Sequence, residues 1–376
     1  MPLRRSHVPR QIEGTFSRRH QQSVLFSSPT SLNTVLPDRT TIEALHAFSW
    51  NRCDTKPNLD ISNHAAKAAK ASGIERYIAV SVWCLGRTHY QLGDYGPSYD
   101  HLQVAYQLFN RLPPGVESQR LSGRCGIDLV DAARMALPDN AEAVSLAQNV
   151  EAKCAVLSDD IVHGRSLVLL GAVLNGAQRH PEALHHLDRA RTMLKAVGDI
   201  PNLAYACEVI SWVHYYENRL PAALDAVEEA WKYAELSDSS FIQAFVSMTF
   251  AKLLFSADRD TEAWEYIEMS LMMASYIGDR FQVAYALEFM GYGYLRRADY
   301  QNAYGAYEAA AEKYLGTVGA HVVETCKDNM ARIKLKQENI DMVIGFHRHT
   351  LDLNETLFYP PVQSSASNVF PFPGLS

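Results

Sequence analysis

The sequence predicts an all-α stack of antiparallel helix pairs, and three observations carry that expectation. Alanines recur every forty positions, at Ala143, Ala183, Ala223, Ala263 and Ala303. Twelve residues before the last four stand Gly171, Ser211, Ala251 and Gly291, each flanked by large apolar residues at helical spacing. No strand-like alternation of useful length occurs between residues 60 and 337. A fixed period of this length marks a repeat array, in which each unit buries its neighbour's apolar face.

The elements follow in order along the chain. Leu59–Ala71 reads as a half-unit. The first full unit runs from about Val80 to Leu112, with Leu85-Gly86, the turn QLGDYGPS, then Ser98, Leu102 and Ala105. Gly123–Val156 is a degenerate copy in which Asp131 takes the small position. Four regular units follow. Their first helices pair Leu170, Ile210, Phe250 and Met290 with the small residue, then Leu174, His214, Leu254 and Tyr294 three positions on. That is one face of a helix turning every 3.6 residues, and the small position is where the two helices of a pair touch.

Their second helices read EALHHLDRA, AALDAVEEA, EAWEYIEMS and NAYGAYEAA. Pro181 and Pro221 sit where a first helical turn tolerates proline, and Thr261 and Asn302 are expected to cap in the same places. Ser158-Asp159, Gly198-Asp199, Asp238-Ser239 and Gly278-Asp279 read as a helix stop followed by a helix start. His321–Gln337, with one polar face, suits a terminal cap.

The flanks differ in kind. Residues 1–58 are expected to be a basic segment without regular structure, 59–338 the repeat domain, and 339–376 an irregular tail. The first forty residues hold six Arg and no Lys against Glu13 and Asp38, so the rest of the chain carries −11 of a net −7. The Arg-rich, acid-poor start fits a mitochondrial transit peptide or a basic tail equally well. Otherwise a cytoplasmic protein is expected. The tail gathers Phe358, Tyr359, Pro360, Pro361, Phe370, Pro371, Phe372 and Pro373. It folds back on the repeats or stays unstructured.

An acidic body argues against nucleic acid and anionic membranes, which need clustered Lys and Arg. No apolar run approaches the ~18 residues that span a bilayer. Six dispersed cysteines, none spaced as CxxC, read as buried free thiols in a reducing compartment. His185-His186 point about 100° apart on a helix and cannot share a metal. Asp128 and Asp131 read as an inter-helix or solvated charge pair, with nothing nearby to complete a catalytic site. No enzyme, cofactor or metal site is expected.

The repeated spacing resembles the tetratricopeptide signature. Gly86, Gly171 and Gly291 fall on its glycine. Ala183, Ala223, Ala263 and Ala303 fall on its second-helix alanine, and Ala105, Ala190, Ala230 and Ala310 on its last small position. The unit is forty residues where the standard is ~34, which is similar to kinesin light chains and to the sensor regions of STAND-type signalling NTPases, in particular the repeat regions of large fungal NTPase–repeat proteins. No GxxxxGK[ST] is present, so an NTPase role does not carry over. The resemblance implies a right-handed superhelix of five to six helix pairs plus a cap.

It also implies a concave face built from the first helices. At forty-residue spacing that face reads Arg165, Tyr205, Phe245 and Tyr285; then Val168, Glu208, Met248 and Glu288; then Ala172, Trp212, Lys252 and Tyr292; then Asn175, Tyr215, Phe255 and Leu295. Trp83, Arg87 and Tyr90 hold the same positions in the first unit. Aromatics and Arg give large contact energy at low entropic cost. The expected role is therefore a scaffold or sensor that binds a peptide or partner segment in this groove. The alternative is a ligand-sensing fragment of a STAND-type system, acting with an NTPase supplied in trans. The Lys/Asn clamp for a C-terminal carboxylate is missing, which disfavours a chaperone-tail receptor.

Overall fold

The computed structural model describes residues 55–137, 140–237, 239–315 and 320–338, which fall in one compact unit. Residues 1–54 of the basic start and the Pro/Phe tail lie outside the described residues, while residues 55–58 belong to the first helix. Among these residues there are fourteen helices and no strand. A single helix leads, α1 (Thr55–Ser72), and six pairs follow. They are α2 (Glu75–Gln91) with α3 (Tyr95–Arg111), α4 (Val116–Ala136) with α5 (Asn140–Ala155), and α6 (Asp160–Gly176) with α7 (His180–Val197). Next come α8 (Ile200–Tyr216) with α9 (Leu220–Leu236), α10 (Ser240–Ser256) with α11 (Asp260–Ile277), and α12 (Arg280–Arg296) with α13 (Tyr300–Tyr314). Helix α14 (Ala320–Glu338) closes the array. The fold is a right-handed tetratricopeptide-like solenoid.

The small positions do what their spacing predicts. A methyl group on Gly171 would lie 2.5 Å from Leu187 Cγ, on Gly86 2.7 Å from Leu102 Cγ, and on Gly291 2.9 Å from the Tyr307 ring. Each glycine lets the second helix of its own pair settle against the first. In the degenerate unit this contact moves to Gly126, which faces Val150 and Tyr106, so Asp131 is released for another use. Gly171→Ala should lower stability by about 1–2 kcal/mol. Overpacking at fully buried Leu187 outweighs the helix-propensity gain of alanine. Urea unfolding followed by circular dichroism reads this, and an unchanged midpoint would contradict it.

The starts and stops also follow from residue chemistry. Asp159, Asp199, Ser239 and Asp279 each accept a hydrogen bond from the backbone N–H three residues on, capping α6, α8, α10 and α12. Gly198 and Gly278 end α7 and α11 in left-handed backbone. Thr261 and Asn302 do not cap. Their helices begin one or two residues earlier, at Asp260 and Tyr300, and Asn302 instead donates its backbone N–H to Asp299.

First helices of successive pairs touch from α2 through α12, while each second helix packs between the first helices on either side of it. The first helices therefore form the inner layer. Cys84, Cys125, Cys154, Cys207 and Cys326 are free and buried in this packing. No helix among the described residues is long and apolar enough to cross a membrane.

Candidate partner-binding groove

The inner face of the first helices is more enclosed than its sequence columns suggest. Trp83, Glu208, Trp212, Phe245, Lys252, Tyr285 and Glu288 are buried. Arg87, Tyr90, Arg165, Tyr205, Tyr215 and Tyr292 are half-buried. The rings of successive units meet edge to face: Tyr205 with Phe245 at 5.6 Å, Phe255 with Tyr292 at 5.4 Å, and Trp212 with Tyr215 within one helix at 5.7 Å. The columns thus form one aromatic wall, each ring leaning on its neighbour's.

Charges are set into that wall, and several of them hold two helices together. Asp128 on α4 accepts hydrogen bonds from Trp83 Nε1 at 2.7 Å and Arg87 Nη1 at 3.0 Å, both on α2. Burial pulls the Arg165 guanidinium below its usual value, and Asp128 opposes that shift. Asp131, three residues on, pairs with Arg134 at 2.8 Å. The Tyr90 and Tyr205 hydroxyls face this pair and are pushed far up by burial. The two acids therefore have separate partners: Asp128 joins α4 to α2, and Asp131 pairs within α4. Tyr205 Oη is buried without a hydrogen-bond partner among the described residues.

Further along, Glu208 accepts hydrogen bonds from Trp212 Nε1 and from Thr249 Oγ1 of the next unit, the latter at 2.7 Å. Burial pushes its carboxyl up to about 7, against the pull of those two donors. Lys252 is fully buried, with Nζ 4.9 Å over the Trp212 ring and 5.7 Å over Phe289. Burial lowers its ammonium group, and Glu288 nearby opposes the shift. Glu288 itself accepts from Tyr314 Oη at 2.7 Å. Between Arg134, Asn175, Glu208, Trp212 and Phe245 lies a cavity of about 10 Å³. That space is of water size and too small for a side chain.

The wall is closed from one side by a contact that no periodicity announces. The turn between α2 and α3, Leu92–Asp94, packs on the start of α12. The Tyr95 ring lies 5.3 Å from Phe281, and Tyr90 lies 6.3 Å from Phe241. Arg280 Nη1 reaches Asp94 Oδ1 at 3.5 Å. From Phe281 the rings continue through Tyr285 at 6.0 Å and Phe289 at 5.0 Å beyond it. Sequence columns could not show this, because the residues belong to units far apart in the chain. The one available signal was a glycine at 93 where every later unit carries a side chain.

No protein-family model matches the chain, and no curated protein matches it. Solved structures do match its fold. A Rap protein crystallised with Competence and Sporulation Factor is 12% identical with a TM-score of 0.54, covering 75% of this chain and 81% of its own. Aspartyl phosphate phosphatase F from Bacillus subtilis is 14% identical with a TM-score of 0.50, covering 70% and 68%. The apo form of RapI is 11% identical with a TM-score of 0.51, covering 74% and 97%. At these identities the likeness is one of fold.

Proposed function

We propose that this chain is a protein-interaction scaffold or sensor that takes a peptide or partner segment along the inner face of its first helices. The observation that supports this reading is the aromatic wall itself. It runs across the units, and Arg87, Tyr90, Arg165, Tyr205, Tyr215 and Tyr292 all keep an accessible edge. Rings and Arg with one wet edge are what recognition surfaces are built from. On this reading the interior polar groups bind and do not catalyse, since Asp128, Glu208 and Glu288 each accept a hydrogen bond from a neighbouring helix and Asp131 is paired with Arg134. The Rap protein found with a bound factor supports the same use of the fold by analogy.

The test is panning of a displayed peptide library on the intact chain, with selected peptides then measured on a Tyr205→Ala, Tyr292→Ala double variant. These rings are half-buried, so the variant should keep its helical spectrum. Selected peptides are expected to bind the variant at least about tenfold more weakly, the size of one modest hot spot. Equal affinity in a folded double variant would move the site elsewhere.

A further inference from the structure

We propose that the turn at Gly93 is a latch that closes the groove from within, so that partner access depends on its release from α12. The inference rests on the groove reading above and specifies how that groove is controlled.

Five turns within helix pairs are built alike. The residue two places after each first helix adopts left-handed backbone: Gly93 at φ +77°, Gln178 at +61°, Asn218 at +58°, Asp258 at +55° and Ala298 at +56°. Its N–H returns to the residue three back, and the next N–H to the residue five back, as in Gly93 to Tyr90 with Asp94 to His89, and Gln178 to Asn175 with Arg179 to Leu174. Four of the five turns form with a side chain present, although left-handed backbone favours glycine. The turn alone therefore does not require glycine at 93.

The docking does. Gln178, Asn218, Asp258 and Ala298 are exposed, and Gly93 is buried. A methyl group on Gly93 would stand 2.7 Å from Phe281 Cβ and 2.9 Å from the Phe281 backbone nitrogen. Those atoms cannot rotate away, so alanine there must push the turn off α12. Phe281 is fully buried beneath the contact and Tyr95 is 4% exposed. The rest of the contact is polar. Arg280 and His89 hold Asp94 from two sides, while the Asp279 cap, itself fully buried, faces Asp94 with a like charge. The contact joins units remote in sequence, so it can part without unfolding either helix pair, and its polar edge at Asp94 and Arg280 can be taken up by water.

Four full-length proteins test this by hydrogen exchange. Gly93→Ala attacks the latch, Arg280→Glu removes the partner of Asp94 and also the donor to the Leu315 carbonyl, Asp94→Asn weakens the same ion pair and leaves the Leu315 bond in place, and Gln178→Ala is the same turn position where nothing docks. Latch release is expected to speed exchange of the amides at 241–245 and 281–283 by about tenfold or more in the first three proteins. All three should also show a larger radius of gyration in small-angle scattering, with α3 amides still protected. Gln178→Ala should match the parent. If alanine at 93 instead melts α3, the Arg280→Glu and Asp94→Asn proteins decide. Parent-like exchange at 281–283 in either of them overturns the latch. Peptides selected on the parent separate the two ideas. The expanded Gly93→Ala protein should bind them at least about tenfold more tightly, because no binding energy goes into release. Unchanged or weaker binding in an expanded protein overturns control of access, while the groove reading is decided separately by the Tyr205→Ala, Tyr292→Ala protein.

Discussion

Trp83→Ala is expected to cost about 4 kcal/mol, because a fully buried indole is lost from a site that cannot collapse onto the space. The ring meets Phe109 edge to face at 5.6 Å, and its Nε1 is one of two donors that hold Asp128. Deletion thus opens a cavity and strips a hydrogen bond from an interior carboxylate. Because most contacts join neighbouring units, the loss should concentrate in α2–α4, reaching beyond them only at the start of α12 where the Gly93 turn docks. In urea, the parent's transition should split, with an early phase assigned by exchange to residues 75–136. A single transition less than about 1 kcal/mol weaker would show that the indole is not the keystone its packing suggests.

A second large effect concerns pH. The Glu208 carboxyl is held above its unfolded value of 4.5, at about 7, because burial penalises the ion. The sign follows from proton counting. Between those two values the folded chain binds more protons than the unfolded one, so stability falls as pH rises, and the loss is complete above the folded value. Glu208→Gln keeps an oxygen to accept from Trp212 and Thr249 and removes the charge. It should therefore match the parent near pH 4.5 and exceed it by about 3 kcal/mol at pH 8. Asp279 is raised to about 7 by the same cause and keeps part of the slope in the variant. The difference between the two proteins isolates Glu208. Identical unfolding curves at pH 8 would show that the carboxyl ionises without penalty.

Much of the fold was legible because its determinants are local. Gly171 and Leu187 meet within one hairpin, Gly198 and Asp199 stop one helix and start the next, and the same pattern recurs forty residues on. Thr261 and Asn302 look like caps in the sequence because a polar residue beside a helix start looks alike one register either way. The site was less legible, for a different reason. Residues such as Tyr205 and Tyr285 share a face by periodicity, but how far that face is open depends on small rotations summed over several units. No column of residues encodes that sum. Tyr95 against Phe281 is its result, and so is the burial of Lys252 between Trp212 and Phe289. Asp131 was visible as an odd residue at a small position. What it does there, holding Arg134 beneath the hydroxyls of Tyr90 and Tyr205, needed the partner helices in place.

The interior thiols carry one more consequence. Cys84, Cys125, Cys154, Cys207 and Cys326 lie at intervals from the second helix to the last, all sealed. Burial raises Cys154 to about 11 and Cys207 to about 12, so neither offers an alkylating reagent a thiolate until its surroundings part. The array carries a stopwatch at several stations. The order in which those sulfurs acquire a label, read peptide by peptide in a mass spectrum, is the order in which the spiral unzips.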